Sequence, residues 1–422
     1  MSQPRSEAVP ASSNAWRRPL AFVWIGEFIS VLTSSILQMG LIWHVTLTTN
    51  SAGALSFVSL AAFLPMALLG AFAGTIVDRM SIKRLLIGAD LFIAVVSFTL
   101  VFGSLNGDLS VAAVAVVAFA RALGSTLHQP AFNALTPMIA PPEVLGKLAG
   151  ILQFMQSGSF IIGNAIAAVI YPAFGLTAMI ALDVAGAVLA SVAVALSGVK
   201  TPVPERHTPE ENVETSRLAV RTFLSDTAEG YRELKRHDAL FAMLWSGFVF
   251  SVLFSPISAL FPLMTLDHFG GTTVDSALAE IVFSVGIIVA SGWIGATGGL
   301  KNRGFSCVLA IVLFGAATLL SGLVPVAALP LFFLLAFVMG FSSPLYGAPM
   351  MALMQERIEP SCMGRVFGLY GAVNGWAMPL GLIISALFAD VIGVGSCFTL
   401  VGAAMVVLAG ITWAIPSIRK IG

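Results

Sequence analysis

Charged residues are scarce in this chain. Lysine and arginine account for 21 of the 422 residues and aspartate and glutamate for another 21, so 10% are charged and the net charge is zero. A soluble domain carries about 25% charged residues. Because 58% of the residues are hydrophobic, and many lie in runs longer than the ~20 residues that cross a bilayer, an ordinary soluble fold is excluded. The sequence predicts a multi-pass protein of the lipid bilayer with no nucleic-acid partner.

Two further features are missing, and each absence argues against a class of chemistry. Cysteine occurs only at Cys307, Cys362 and Cys397, and this wide spacing argues against a disulfide framework or a metal site. No glycine-rich loop ends in Lys-Ser or Lys-Thr, so the sequence lacks the usual motif for using ATP. We expect a protein that is not an enzyme and uses no cofactor.

The chain contains twelve apolar segments instead. The first follows Arg17 and Arg18 and is too long for the core of a cleaved signal peptide. Twelve spans leave both termini on one side of the membrane, and the loops on that side hold 20 of the 21 basic residues. The positive-inside rule therefore predicts that both termini are cytoplasmic. The predicted spans are residues 20–47, 52–77, 85–103, 109–137, 145–171, 174–197, 239–266, 277–298, 305–323, 329–355, 363–388 and 393–416.

The spans divide six and six around one polar stretch. The predicted fold class is an all-α membrane protein, with twelve transmembrane helices in two six-helix bundles that move around a central site. From about Ser216, apolar residues recur at helical spacing, which favours an amphipathic helix on the cytoplasmic membrane surface; a simple tether remains open for the linker's first half. Two complete halves make a monomer the default. The expected divisions are a cytoplasmic segment at 1–19, bundles at 20–197 and 239–416, a linker at 198–238 and a cytoplasmic tail at 417–422.

The loop after the second span concentrates charge in the stretch GTIVDRMSIKR, residues 74–84. Its first glycine forms a GxxxG pair with Gly70, which lets another helix approach closely. One turn later, the Asp78 carboxylate can accept hydrogen bonds from backbone N–H groups at the start of span eleven. These bonds would latch the two halves together. A basic cytoplasmic loop without this function explains the last two cations equally well. The predicted latch consists of Gly74, Asp78, Arg79, Lys83, Arg84 and Arg365.

The pattern G-x-x-x-D-R-x-x-x-[KR]-[KR] in this loop resembles the signature of the major facilitator superfamily between spans two and three. Within it, the stretches LTSSILQMGLIW, RALGSTLHQPAFNALTP, SALFPLMTLDHFGGT and MGRVFGLYGAVNGWAMPLGLIISALFADVIGV resemble the macrolide-efflux branch of the drug:proton antiporters. The resemblance runs from about Trp16 to the last span. It implies the major facilitator fold, a bacterial inner-membrane location, and proton-driven export of macrolides or similar amphipathic drugs. One departure is Asn164, which stands where the antiporter signature of span five has a proline.

Ionisable residues inside the predicted spans are costly and mark candidate functional sites. Arg121 stays protonated and needs a carboxylate or a lined cavity; Glu27 and Asp183 are its candidate partners. The stretch that begins at Arg121 also resembles the span-four signature of the superfamily, which implies a link to proton coupling. A structural ion pair or polar contact remains the alternative. The predicted proton-coupling residues are Glu27, Arg121, Asp183 and His128.

Two other buried acids receive different predictions. Asp90 lies near the cytoplasmic end of span three and is assigned to the charge network there. Glu280 lies within a turn of the predicted outer end of span eight, which favours an acid solvated at the interface.

A large amphipathic drug needs mostly apolar and aromatic surroundings with a few hydrogen-bonding groups. On spans one, four, five, seven and eleven, the candidate residues for such a cavity are Gln38, Asn133, Gln153, Gln156, Asn164, Trp245, Asn374 and Trp376. Two rival functions remain: export of a siderophore or lysolipid on the same fold, and a membrane sensor that transports nothing. The joint presence of Arg121 and Glu27 favours transport, because a sensor does not need both.

Overall fold

The protein is described here by a computed structural model that covers residues 16–78, 80–106, 109–141, 144–199, 225, 227–419 and 421. Every regular element in these residues is helical, which confirms the predicted all-α class. One π-helical turn, Met264–His268, follows α7. The helices are α1 (Arg17–Thr49), α2 (Ala52–Asp78), α3 (Ile82–Asn106), α4 (Val111–Ile139), α5 (Leu145–Leu196), α6 (227–235), α7 (Asp238–Leu263), α8 (Thr273–Thr297), α9 (Arg303–Leu323), α10 (Leu329–Arg357), α11 (Pro360–Ile392), α12 (Val394–Ala414) and α13 (Pro416–Arg419).

Eleven of the described helices are long and apolar enough to cross a membrane. The difference from the predicted twelve lies in α5, which contains both predicted spans five and six. Gly175 interrupts this helix with φ +72° and ψ −178°, three residues after Pro172. A side chain other than hydrogen rarely tolerates a positive φ of this kind, so glycine permits the break between the two segments.

The start of α8 differs from the prediction in a way that affects the functional interpretation. Thr272 and Asp275 form a reciprocal capping box, and the helix begins at Thr273 rather than at residue 277. The capping box satisfies backbone N–H groups that the helix itself leaves unpaired. Glu280 therefore lies about two turns inside α8.

The chain forms two compact units, and their borders fall inside α1 and α2. The first unit comprises residues 1–40 and 68–206, insofar as they are described. Its apolar core is built from side chains of α1, α3, α4 and α5, among them Val23, Leu86, Phe132 and Leu135. This core packs the first segments of α1 and α3 against the last turns of α4, where several ionisable residues also lie.

The second unit comprises residues 41–67 and 207–422, again insofar as they are described. In it, α10 packs against both α8 and α9, and α9 packs against α12. The contact between α8 and α10 is close, because a methyl group at Gly340 would overlap the carbonyl oxygen of Phe283. Glycine at this crossing lets two backbones approach without an intervening side chain.

Candidate functional site

Arg121 and Asp183 form a buried ion pair in the first unit. The guanidinium donates to both carboxylate oxygens: Nη1 contacts Oδ2, and Nη2 lies 3.2 Å from Oδ1. The Ser34 hydroxyl donates to Oδ1 at 2.8 Å, and the Ser97 hydroxyl donates to Oδ2 at the same distance. Asp183 is fully buried. These four residues, named here the arginine cluster, join α1, α3, α4 and the second segment of α5.

The arginine cluster decides between the two partners considered for Arg121. Its carboxylate is Asp183, and Glu27 lies elsewhere. An ionised carboxylate offers about four lone-pair sites, and two N–H and two O–H donors occupy them. This geometry is that of a saturated, cross-linking ion pair. A role of the pair in proton coupling stays a prediction.

Glu27 instead belongs to a second group of three buried side chains. The Nε2 atom of His128 lies 3.7 Å from Glu27 Oε2 and 3.3 Å from Asp90 Oδ1. All three side chains are less than a tenth exposed. We call Glu27, His128 and Asp90 the acid–imidazole cluster. Asp90 had been assigned to the cytoplasmic charge network, and this contact places it beside His128 instead.

The acid–imidazole cluster is not saturated. Two carboxyl groups share one imidazole nitrogen, and Asp90 Oδ2 has no hydrogen-bond partner among the described residues. The indole nitrogen of Trp24, one turn before Glu27 on α1, is also buried without a partner there. On the other side, the ring of Phe132 stacks on His128 with 6.3 Å between ring centroids. Buried polar atoms without partners are rare and mark places where a proton, water or conformational change can act.

The two clusters lie at different depths, as counting along the helices at 1.5 Å per residue shows. Glu27, Asp90 and His128 lie about 12–17 Å from the start of α1, the start of α3 and the end of α4, respectively. Arg121 lies about 27 Å from the same end of α4. The acid–imidazole cluster is therefore nearer the helix ends that border the basic loops, and Arg121 lies about two turns deeper than His128 on α4.

The charged loop is described only in part. Gly74 and Asp78 lie in α2, nothing of the Asp78 side chain is described, and Arg79 lies outside the described residues. Lys83 Nζ donates to the Ala195 carbonyl at 2.9 Å, which ties the start of α3 to the end of α5. The remaining cation of the loop, Arg84, is exposed.

Arg365, the expected partner of the loop, forms an ion pair with Glu229 of α6 at 2.9 Å. Residues 227–235 are helical and lie within the predicted linker; the predicted beginning of the linker helix lies outside the described residues. A position of this helix on the membrane surface stays a prediction. The neighbouring Gly230 lies against the Arg365 carbonyl, where a methyl carbon would come within 2.5 Å of the oxygen. A latch between Asp78 and Arg365 stays a prediction.

The predicted cavity residues differ in their surroundings. Asn374 of α11 accepts a hydrogen bond from the Ser251 hydroxyl of α7 at 3.2 Å. Asn164 is buried, and neither its amide nitrogen nor its oxygen has a partner among the described residues. Their assignment to a substrate cavity stays a prediction, as it does for the others. Gln38, Asn133, Trp245 and Trp376 are exposed, Gln156 is partly buried, and the Gln153 side chain lies outside the description.

The predicted position of Glu280, within a turn of the end of α8, was wrong. The residue lies about two turns inside the helix, is partly exposed, and lines a recess inside the second unit together with phenylalanines of α7, α8 and α9. The span had been started four residues too late, because hydropathy alone does not register the polar cap of a helix. The sequence pattern Thr-x-x-Asp at residues 272–275 is a capping-box signal that could have corrected it.

A second group that sequence reasoning missed is centred on Asp390, near the end of α11. Its carboxylate accepts hydrogen bonds from the Ser51 hydroxyl at 2.7 Å and from the Gly53 backbone N–H at 2.9 Å. Glycine at position 53 leaves room for this approach, since a methyl carbon would lie 2.5 Å from Oδ2. Asp390 thereby caps the start of α2 from another helix. Its position just beyond the apolar run gave no reason to single it out.

Comparisons with known proteins agree with the charged-loop signature. A profile of the Major Facilitator Superfamily matches residues 23–317. Macrolide efflux protein A of Streptococcus pyogenes is 38% identical over 408 residues, covering 97% of this chain and 98% of that protein. The multidrug efflux pump Tap of Mycolicibacterium fortuitum is 25% identical over 425 positions, with 97% and 98% coverage.

The fold agrees as well. The crystal structure of a POT family transporter in complex with a thioalcohol-conjugated peptide aligns with a TM-score of 0.73 at 14% identity, covering 96% of this chain and 97% of that one. At this identity the likeness concerns the fold alone. Together with the profile and the sequence relatives, it confirms the expected fold and family: the chain belongs to the major facilitator superfamily, in the branch of the macrolide efflux proteins.

Proposed function

We propose that this protein exports macrolides or similar amphipathic antibiotics from the bacterial cytoplasm, in exchange for protons, by alternating access. The relatives named for macrolide and multidrug efflux support a drug as cargo. The proposal places a monomer in the inner membrane with both termini in the cytoplasm and bundles at 20–197 and 239–416. The observation that carries proton coupling is the unsaturated acid–imidazole cluster.

The proton count of this cluster supports its role. With His128 protonated and both acids ionised, the group carries a net negative charge in a buried site. One further proton on Glu27 or Asp90 neutralises it. Burying an uncompensated charge is costly, so proton binding and the exposure of the cluster to water are energetically linked. The distances of 3.3 and 3.7 Å leave both acids within reach of the same imidazole.

The path from this cluster to a conformational change runs through α1. This helix carries Glu27 in the first unit and continues into the second unit at residues 40–41. A shift of Glu27 against His128 is therefore transmitted along one continuous helix. In this proposal, the arginine cluster holds α1, α3, α4 and α5 together during the change.

The test is the accumulation of a labelled macrolide in drug-sensitive bacteria that produce the protein, with and without a protonophore. Glu27→Gln removes one acid of the acid–imidazole cluster. Asp267→Asn serves as a matched control, because Asp267 lies outside the cluster and accepts a hydrogen bond from Asn50, which lies at the turn between α1 and α2. We expect low accumulation in the wild type and the control, and high accumulation with the protonophore or with Glu27→Gln.

Each other outcome rejects a defined part of the proposal. High accumulation throughout, with the protein present in the membrane, rejects macrolides and leaves a siderophore, a lysolipid or a non-transporting sensor. Low accumulation that ignores the protonophore rejects the coupling. Low accumulation in Glu27→Gln that the protonophore still raises moves the proton site away from Glu27.

A further inference from the structure

We propose that the recess around Glu280 binds the ammonium group of a lipophilic organic cation, such as the protonated tertiary amine of an antibiotic. This inference deepens the proposed export function by naming the charge class of the substrate and the carboxylate that receives it. We call the recess formed by Phe254, Ile257, Ser258, Phe261, Glu280, Phe283, Phe314 and Met339 the Glu280 recess.

The walls of the Glu280 recess are largely aromatic. Phe254 and Phe314 meet edge to face with 5.4 Å between ring centroids, and Phe261 and Phe283 lie 6.0 Å apart. The rings come from α7, α8 and α9, and Met339 adds a side chain from α10. A cation that enters lies close to several ring faces, where the ring quadrupole attracts it.

The carboxylate in this recess has no counter-charge among the described residues. No cation lies among its lining residues, and no described side chain or backbone group donates to it. The only other polar side chain in the wall is the Ser258 hydroxyl. An acid in apolar surroundings is unfavourable unless it is neutralised or paired. A ligand ammonium group supplies the missing partner, whereas a neutral ligand does not.

The size of the recess limits what it can hold. Its cavity volume is about 40 Å³, far below the ~300–1,000 Å³ typical of drug sites. A complete macrolide is too large. The recess therefore takes an amine-bearing group, and the remainder of an amphipathic drug lies outside it against other surfaces.

Binding to the purified full-length protein in lipid nanodiscs tests the inference independently of transport. The probes are trimethylphenylammonium, a permanent cation with a compact head group, and tert-butylbenzene, its neutral isostere. Saturation-transfer NMR measures the binding of each probe. For Glu280→Gln we expect the Kd of the cation to rise about tenfold or more, because a desolvated charge pair is lost, and the Kd of the isostere to change less than about twofold. Glu280→Asp, which keeps the charge, is expected to lie between.

Glu356→Gln is the matched control, since this acid pairs with Arg303 away from the recess, and it should leave both Kd values unchanged. Equal weakening of both probes by Glu280→Gln, or no effect on either, overturns the inference. So does a wild type that does not bind the cation, which would leave Glu280 a proton site only. If macrolide export is absent but the Glu280-dependent binding persists, the export proposal fails and the cation site stands.

Discussion

Replacing Asp183 by asparagine removes the only described counter-charge of Arg121, and the structure sets the size of the effect. Breaking one side of a buried ion pair costs about 3–5 kcal/mol, whereas a hydrogen bond between transmembrane helices contributes about 0.6 kcal/mol on average. Asp183 accepts from the guanidinium and from two serine hydroxyls. We therefore expect Asp183→Asn to lower the free energy of unfolding by about 3–5 kcal/mol, and Ser34→Ala or Ser97→Ala by about 0.6–1 kcal/mol each.

The double variant Arg121→Leu, Asp183→Leu distinguishes packing from function. Replacing both charges by apolar side chains is often neutral or stabilising, so the double variant should recover most of the stability lost in either single variant. Titration of the purified protein in mixed micelles with a denaturing detergent measures the free energy of unfolding of each variant. A cost below about 1 kcal/mol for Asp183→Asn would refute the reasoning. A stable double variant that still exports drug assigns the pair to structure, and a stable but inactive one gives it a part in coupling.

Three further predictions concern the second unit. Gly340→Ala should lower the free energy of unfolding by about 1–3 kcal/mol, because the added methyl group overlaps a carbonyl of α8. Gly347→Ala, on the same helix with free space around it, should leave the free energy of unfolding unchanged. Equal effects of the two variants would contradict the prediction. Asp390→Asn weakens the charged cap on α2 by about 1–2 kcal/mol, so amide exchange at the start of α2 should be about 5- to 30-fold faster; unchanged exchange would exclude the cap. Glu229→Gln breaks a half-exposed ion pair worth less than about 1 kcal/mol and should barely change the rate of proteolysis of α6. Gly230→Val, whose side chain overlaps the α11 backbone, should clearly increase this rate. Faster proteolysis in Glu229→Gln than in Gly230→Val would contradict the prediction.

The helices could be predicted from the sequence because the bilayer leaves few alternatives. A segment in hydrocarbon must satisfy its own backbone hydrogen bonds, so long apolar runs become helices. The break at Gly175 also agrees with the predicted boundary between spans five and six. The ends were less accurate where polar capping residues extend a helix beyond its apolar run, as Thr272 and Asp275 do in α8. That small error reversed the interpretation of Glu280.

Which ionisable residues are buried could also be predicted, since few charges occur inside the apolar runs. Their partners could not. Arg121 lies on a different helix from Asp183 and from Glu27, and the choice depends on how each helix is rotated about its axis, which sequence spacing along a single helix does not determine. The same rotation brings Asp90 of α3 to His128 of α4. The Glu280 recess required four helices in register before its aromatic walls could be seen.

The difference between the two clusters in the first unit follows from counting donors and acceptors. A group that gains and loses a proton in each transport cycle needs an acceptor site that a proton can enter without displacing another donor. Asp183 offers no such site, because four donors already surround its carboxylate. Asp90 keeps an oxygen without a partner among the described residues, and Glu27 shares His128 with it at 3.7 Å. The free energy of unfolding should therefore depend mainly on the arginine cluster, and the response to a proton gradient mainly on the acid–imidazole cluster. Substitutions in one cluster should change one of these properties without the other.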